Sequence, residues 1–120
     1  MRIFGGLGGN FMFEELQRGV AGMMTGFGFP EILVSIYRDF HAGREEYARD
    51  TFYRYLPLIR YETQPGLNLP LRKLIYQIRG AMDHAEPRRP YPPLDDVTLL
   101  ELDALLAYLG LTTPGPVAIR

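Results

Sequence analysis

The chain has 120 residues, the size of one ordinary domain, and 47% of them are hydrophobic, which is typical of a globular core. Its formal net charge is -1, with 13 basic and 14 acidic residues, so we expect no nucleic-acid partner. Cysteine is absent, which excludes disulfides, thiolate metal sites and thiol nucleophiles. No signal sequence or long apolar span is visible, so we expect a cytoplasmic chain with no membrane partner.

Eight of the 13 glycines lie in the first 28 residues, and seven of them form two runs, within residues 3–9 and 22–30. Each run is typical of a strand end where the backbone comes close to a ligand. The first run follows an apolar entry at Arg2 to Phe4, which we predict to be a short strand. Phe11 to Arg18 then has a helical pattern, with Asn10 as its predicted N-cap. Val20 to Thr25 is apolar without alternation, which predicts a strand buried on both faces. This order is typical of a βαβ unit with parallel strands.

The rest of the chain predicts four helices. Pro30 suits a first helical turn and opens a helix that ends at Gly43. A second helix is expected from about Arg44 to Tyr61, kinked or split by Pro57. Pro70 opens a third helix, which Gly80 ends. A last helix follows the candidate N-cap Asp95 and is expected to bury these residues: Val97, Leu100, Leu102, Leu105, Leu106 and Leu109.

Two parallel strands followed by four helices make a poor independent sheet. Parallel sheets need cover on both faces and further strands at their edges. The sequence therefore predicts an α/β chain, mostly helical, that is the C-terminal part of something larger or that associates to complete its sheet. The residues after Thr112 are expected to be a frayed tail. Apolar helical surface also leads us to expect a homo-oligomer.

The usual chemistry-bearing motifs are absent or weak. Phe11 occupies the third glycine position of a dinucleotide fingerprint, and the lone lysine, Lys73, is far from the glycine runs. His41 and His84 lack partners at metal-ligand spacing, so no metal is expected. Ser35 lies within a helix without a nucleophile-elbow sequence. We expect no cofactor, and we interpret Lys73 as a surface lysine on an amphipathic helix.

In order along the chain, several short motifs resemble the C-terminal part of the dihydrodipicolinate synthase and N-acetylneuraminate lyase family. The glycine-bearing end of the family's seventh strand resembles Phe4-Gly5-Gly6, and its eighth-strand segment resembles Arg18 to Thr25. The similarity continues through these segments: Pro30-Glu31, Phe40 to Arg44 with Ala48, Leu56-Pro57-Leu58, Pro70 to Lys73, Arg89-Pro90, Pro93-Leu94 and Leu109-Gly110-Leu111. No one motif is diagnostic, but their order covers about nine-tenths of the chain.

The resemblance implies a fragment of a (β/α)8 barrel, the TIM barrel. Residues 1–29 would supply its last two β/α units, residues 30–111 a barrel-closing helix and the C-terminal helical region, and residues 112–120 a tail. Such enzymes form a lysine Schiff base with pyruvate or another 2-keto acid. Their lysine, tyrosine and threonine elements lie before the seventh strand, so the resemblance places no catalytic residue in this chain and gives Lys73 no catalytic role.

Two positions match substrate-binding positions of the family. Gly6 corresponds to a glycine near the substrate, and Met24 to an apolar residue whose backbone lies beside bound pyruvate. Glycine lets backbone approach a ligand, and an apolar wall keeps the pKa of an imine-forming lysine low. The sequence departs from the family pattern at residues 25–29, where Phe27 and Phe29 are expected to reshape the pocket mouth.

Two hypotheses follow from the sequence. In the first, the chain is part of a Schiff-base lyase or aldolase, acts on a 2-keto acid such as pyruvate only with the rest of the barrel, and is inactive alone. In the alternative, it is a non-catalytic helical interaction or oligomerisation module. The two glycine-bearing strands favour the first hypothesis, because a helical module has little use for them. The second substrate and the exact reaction class are not encoded in these residues.

Overall fold

A computed structural model describes residues 1–88 and 91–119, and within them the chain is mostly helical with two short parallel strands. Arg89 and Pro90, one of the segments that resemble the family, and Arg120, in the predicted tail, lie outside the described residues. The strands and helices, in chain order, are β1 (Phe4–Gly5), α1 (Met12–Gln17), β2 (Gly22–Met23), α2 (Pro30–His41), α3 (Glu45–Glu62), α4 (Asn68–Ile78) and α5 (Asp96–Tyr108). A short 3₁₀ turn at Leu7–Gly9 joins β1 to α1.

The predicted βαβ unit is present, but its strands are shorter than expected. β1 and β2 pair in parallel, with Phe4 opposite Gly22 and Gly5 opposite Met23. Neither strand has a second neighbour within residues 1–88 and 91–119, so nothing extends the ladder beyond these two pairs. The expectation that the second strand is buried on both faces is wrong for this chain, because the Met24 side chain is 75% exposed.

Asn10 is not the N-cap of α1. The helix begins at Met12, and no side chain caps its first turn. The Asn10 amide instead donates to the Thr63 hydroxyl at 2.9 Å, just after α3. The Asn10 amide oxygen, which a cap would use as its acceptor, lies 3.1 Å from the same hydroxyl. The pairing with Thr63 thus engages the side chain and links the first glycine run to the end of α3.

The helices α2 and α3 form the centre of the molecule. Pro30 is the first residue of α2, as predicted, and Gly43 takes the left-handed φ of 77° that lets the chain reverse into α3. Around this pair lies one apolar core, whose fully buried members on α2, α3 and α4 include Ile32, Ile36, Phe52, Leu58, Ile59, Leu71 and Ile75. Tyr47, near the start of α3, is 66% exposed.

Pro57 does not split α3, which runs without a break from Glu45 to Glu62. A proline inside a helix leaves the carbonyl four residues earlier without its N–H partner. That carbonyl belongs to Tyr53, which is 52% exposed on the solvent side of the helix. Water can reach this face of the helix, and apolar packing on the opposite face keeps α3 continuous.

The last two helices begin close to their predicted starts. α4 begins at Asn68 and places Pro70 at its third position, where the backbone N–H has no partner within the helix and proline costs little. Asp95 caps α5 as predicted and accepts a hydrogen bond from the Thr98 N–H at 2.7 Å. Leu102, Leu106 and Leu109 are buried, as expected.

Two expectations for the C-terminal residues are wrong. Val97 and Leu100, predicted to be inward, are 61% and 68% exposed, because no described element covers that face of α5. The segment after Thr112, predicted to be frayed, runs back over α2 and α4. The Val117 N–H donates to Glu31 at 3.0 Å and the Gly115 N–H donates to the Arg79 carbonyl at 3.3 Å, so the described part of this segment is pinned by hydrogen bonds.

Candidate functional site

The two residues singled out by the sequence, Gly6 and Met24, lie side by side at the carboxyl ends of the strands. The Met24 N–H donates to the Gly5 carbonyl at 2.8 Å, which extends the pairing of β1 and β2 by one residue. A Cβ atom added to Gly6 would lie 3.4 Å from the Met24 carbonyl oxygen. The structure therefore brings Gly6 and Met24 together, whereas their binding of a substrate stays a prediction.

Packing within the described chain does not require glycine at position 6. The Met24 carbonyl at 3.4 Å is the only atom within 4 Å of the added Cβ among those that the structure describes, and that distance is at the edge of ordinary contact. The backbone has an extended φ of -159° but a ψ of -136°, which lies outside the β region that other residues prefer. A glycine with open space beside it is typical of a position that a ligand or another chain segment approaches.

A left-handed turn follows Gly6 and fixes the end of β1. Leu7, Gly8 and Gly9 have φ values of 50°, 66° and 90°, and the Gly9 N–H closes the turn on the Gly6 carbonyl at 3.0 Å. A leucine in this region is uncommon, and its side chain is 70% exposed. Backbone strain of this kind costs about 1 kcal/mol or more and concentrates at functional sites.

The glycines of the second run make room for the chain's own side chains, as Gly5 and Gly8 do in the first run. A Cβ on Gly26 would lie 2.5 Å from the Arg72 guanidinium, and one on Gly28 would lie 2.6 Å from Cγ2 of the buried Ile75. The interpretation of this run as a close approach to a ligand is therefore wrong at these two positions. They let residues 25–29 pack onto α4.

The aromatic residues of the same run are also placed differently from the prediction. Phe27 and Phe29 are 2% and 1% exposed, and both belong to the apolar core. The Arg79 guanidinium stacks over the Phe29 ring, 4.4 Å from its centroid. The two phenylalanines do not reshape a pocket mouth, because burying them stabilises the core more than exposing them at a surface would.

A buried carboxylate that the sequence reasoning missed holds this run in place. Glu62, the last residue of α3, is fully buried. One of its oxygens accepts the Gly28 N–H at 2.8 Å, and the other accepts Nε of Arg72 at 2.9 Å. Burial raises the pKa of Glu62, while the hydrogen bonds from Arg72 and Gly28 act in the opposite direction. Its position three residues after Ile59 and seven after Tyr55 is an inward helical spacing, which was the available signal.

The other titratable candidates have ordinary surroundings. His41 is exposed, with Nδ1 3.0 Å from the Tyr37 carbonyl oxygen, and His84 is exposed as well. The amine of Lys73 donates to the Glu86 carbonyl at 2.8 Å. No group of three or more metal-ligating side chains occurs in the part of the chain that the structure describes. None of its described helices is both long and apolar enough to cross a membrane.

Among the hollows on the surface of the described residues, two adjoin α2, and neither of these is lined by Gly6 or Met24. One of about 800 Å³ lies between α2, α4 and the C-terminal segment. The other, of about 440 Å³, lies between the strand pair and α2, with Phe4, Gly22 and Met23 on one side and Leu33 and Tyr37 on the other.

Comparisons with known proteins identify one group of relatives, although no protein-family model matches the chain. The sequence is 32% identical over 98 residues to L-2-keto-3-deoxyarabonate dehydratase of Azospirillum brasilense, a match that covers 82% of this chain and 31% of that protein. The structure superimposes on the crystal structure of dihydrodipicolinate synthase from Rhodopseudomonas palustris with a TM-score of 0.86 and 39% identity, covering 89% of this chain and 36% of that one. The chain thus spans about a third of the length of the relatives it matches.

Proposed function

We propose that this chain, whose sequence and fold match part of dihydrodipicolinate synthase family proteins, acts as the last two strands and the C-terminal helical region of a (β/α)8 barrel enzyme. In this proposal residues 1–29 complete the barrel wall, and residues 30–111 supply the closing helix and the helical region behind it. The strands of a barrel place their carboxyl ends at the catalytic face, so Gly6 and Met24 would lie at that face.

The observation that carries this proposal is the uncovered apolar surface at the strand pair. Large hydrophobic side chains that are more than half exposed cluster on and beside β1 and β2: Ile3, Phe4, Leu7, Phe11 and Met24. A parallel pair of two-residue strands is too small to be a stable sheet, and parallel sheets are covered on both faces. The hollow of about 440 Å³ between the strand pair and α2 shows that the pair is also incompletely packed against the helix beside it.

The chemistry proposed for the completed barrel is Schiff-base chemistry on pyruvate or a related 2-keto acid. A lysine amine from the remainder of the barrel adds to the keto carbon, water leaves, and an imine forms. Gly6 lets the backbone approach the bound keto acid, and the Met24 backbone forms part of the same wall. Apolar surroundings disfavour a charged ammonium group, which keeps the lysine nucleophilic. Lys73 has no part in this step, because its amine is bound on the surface of α4.

A chimera tests this proposal. The chain replaces the matching segment of the Rhodopseudomonas palustris enzyme, and pyruvate is trapped with borohydride, which reduces the imine to a stable amine. We expect an adduct of one pyruvate per chimera on a lysine outside this chain, and no adduct on the isolated 120-residue chain. A folded chimera that traps no pyruvate, or an adduct on Lys73, would overturn the proposal. The intact mass of the native species is a second readout, and we expect it to exceed 13.7 kDa.

A second candidate function, self-association through α5, is favoured by one observation. Val97, Leu100 and Tyr108 are 61%, 68% and 85% exposed and recur at helical spacing along one side of α5. An uncovered apolar stripe of this kind is typical of a helix that packs against a partner. We propose that a second copy of the chain covers it, which makes the protein a homo-oligomer.

Sedimentation analysis of Leu100→Lys tests the role of α5. The substitution places a charge within the stripe, where it would be buried without a partner in a dimer. We expect dissociation to a smaller species with unchanged helix content. Lys73→Gln, on a different helix, is the control and is expected to keep the native assembly. An unchanged sedimentation coefficient for Leu100→Lys would contradict the proposal.

A further inference from the structure

The segment that follows β2, residues 25–29, is held from outside the strand pair. The Gly28 N–H donates to Glu62, and the Gly28 carbonyl accepts a hydrogen bond from Arg79 at 2.5 Å. The Gly26 carbonyl accepts a weaker bond from the Tyr76 hydroxyl at 3.4 Å. Glu62 belongs to α3, Tyr76 belongs to α4, and Arg79 directly follows α4. The helical region therefore determines the position of a loop that begins one residue after Met24.

Glu62 is the buried centre of these contacts. Its side chain is fully buried, whereas its partner Arg72 keeps 21% of its side-chain surface exposed. A buried ion pair adds little to stability compared with apolar residues of the same volume, because both charges lose their hydration. Its distinctive property is directional: the two carboxylate oxygens accept from two fixed donors, Nε of Arg72 and the Gly28 N–H.

The glycines of the loop match this arrangement. A Cβ on Gly28 would approach a Glu62 oxygen to 3.1 Å, and a Cβ on Gly26 would meet the Arg72 guanidinium. The absence of side chains at both positions brings the loop backbone within hydrogen-bond distance of the buried pair. Loop sequence and helix sequence thus fit each other at two separate points.

We infer that Glu62 is a positioning residue, which acts through Gly28 and the loop of residues 25–29 to fix the Met24 backbone at the carboxyl end of β2. The inference rests on the proposed function, since it assigns Glu62 to the same keto-acid wall. Glu62 does not touch the substrate. It links the C-terminal helical region to the catalytic face, and its loss lets the loop and Met24 shift.

The experiment measures the pyruvate concentration that half-saturates borohydride trapping in the chimera. Glu62→Ala removes both acceptor oxygens, so the loop and the Met24 backbone are no longer held in place. Misplacement of the Met24 backbone is expected to raise the half-saturating pyruvate concentration on the order of tenfold. The double variant Glu62→Gln with Arg72→Gln keeps an acceptor for the Gly28 N–H and replaces the ion pair by an amide pair. We expect it to restore saturation to within about threefold of the parent chimera.

Two further variants separate positioning from stability. Ile59→Val lowers stability at a fully buried site of α3 but leaves Glu62 in place, so half-saturation is expected to be unchanged. Gly26→Ala pushes the flexible Arg72 guanidinium away from Glu62, so half-saturation is expected to rise, even if Glu62→Ala fails to fold. The inference would be overturned if Ile59→Val and Glu62→Ala changed the half-saturating pyruvate concentration equally. It would also be overturned if neither Glu62→Ala nor Gly26→Ala changed it.

Nuclear magnetic resonance on the isolated chain gives a readout that does not depend on catalysis. If Glu62 positions the loop, Glu62→Ala shifts the amide resonances of Gly28 and Met24, and the double glutamine variant returns them toward their parent positions. Unchanged Met24 resonances would overturn the inference. If the parent chimera traps no pyruvate while these resonances behave as expected, the proposed function fails and the positioning link stands.

Discussion

Gly28→Ala tests whether the second glycine run exists to pack against the chain's own helices. The added Cβ would lie 2.6 Å from Cγ2 of Ile75 and 3.1 Å from a Glu62 oxygen, whereas ordinary contacts begin at 3.4 Å. Ile75 is fully buried and cannot swing away into solvent. Relief of the overlap therefore requires the loop or α4 to move by several tenths of an ångström.

The expected cost follows from two effects. Overpacking of a filled core costs about 1–3 kcal/mol. If the loop moves out, the hydrogen bond from the Gly28 N–H to the buried Glu62 carboxylate weakens, and a bond to a charged group contributes about 1.5–3 kcal/mol. Moving the loop outward relieves the overlap with Ile75 but weakens the hydrogen bond to Glu62, so neither cost is avoided completely. We therefore expect a loss of about 2–4 kcal/mol in the free energy of unfolding. In a chain of this size that lowers Tm by roughly 10 °C.

Chemical denaturation of the isolated chain measures this loss, with two matched variants. Gly6→Ala adds a Cβ at an ordinary 3.4 Å contact, so only the backbone conformation opposes it, and the free energy of unfolding is expected to fall by about 1 kcal/mol, less than for Gly28→Ala. Ile75→Leu removes the γ-methyl branch that the new Cβ meets, so adding it to Gly28→Ala is expected to recover part of the loss. A Gly28→Ala variant as stable as Gly6→Ala would refute the reasoning.

Three other predictions concern pH and hydrogen bonding. Burial raises the pKa of Glu62 in the folded state, so the folded state binds its proton more tightly than the unfolded state does. The stability of the parent relative to Glu62→Gln should therefore fall as pH rises from 4.5 upward. Denaturation measured at several pH values tests this, and a rise in relative stability would contradict it. Burial and the Glu101 carboxylate raise the pKa of Tyr61 to about 12, so the tyrosinate absorbance that Tyr61→Phe removes should develop near pH 12. The stability that Tyr61 contributes is lost as pH rises from 10 through about 12, and an unchanged difference between parent and Tyr61→Phe over that range would contradict this. Arg79→Lys removes the planar guanidinium group that binds Gly28, Glu31 and Gly115. Because the Val117 N–H donates to Glu31, hydrogen exchange at the Val117 amide should accelerate. Unchanged exchange would show that other contacts hold the C-terminal segment.

Local signals predicted most of the helical framework. Pro30, Gly43, Gly80 and Asp95 mark helix ends through backbone chemistry that depends on a few neighbouring residues, and the structure confirms them. The parallel βαβ unit was predicted for the same reason, since a strand, a short helix and a second strand in so few residues leave few alternatives.

The errors arise where a residue contacts distant parts of the chain. Asn10 has the chemistry of a cap but bonds to Thr63, which is 53 residues away. Phe27 and Phe29 follow a strand end, where a pocket mouth was expected, yet α3 and α4 provide a core that buries them. Val97 shows the opposite error, because helical periodicity identifies an apolar face but does not show whether an element covers it.

The sequence indicated some residues of the candidate site but not Glu62. Gly6 and Met24 were selected through a family resemblance, and the structure places them together but tests no ligand. Glu62 was overlooked because a glutamate at a helix end is ordinarily a solvated charge. Only the fold shows that its two oxygens face the Gly28 N–H and Arg72.

Hydrogen exchange at the strand pair tests most directly whether the chain is part of a barrel. The amides of residues 3–6 and 21–24 are compared in the isolated chain and in the chimera with the Rhodopseudomonas palustris enzyme. If further strands cover Phe4 and the edge of β2, exchange in the chimera slows by about tenfold or more at these residues, while the buried core of α3 changes little. Equal exchange in the two proteins would contradict the account, because the strand pair would then be as uncovered in the chimera as it is alone.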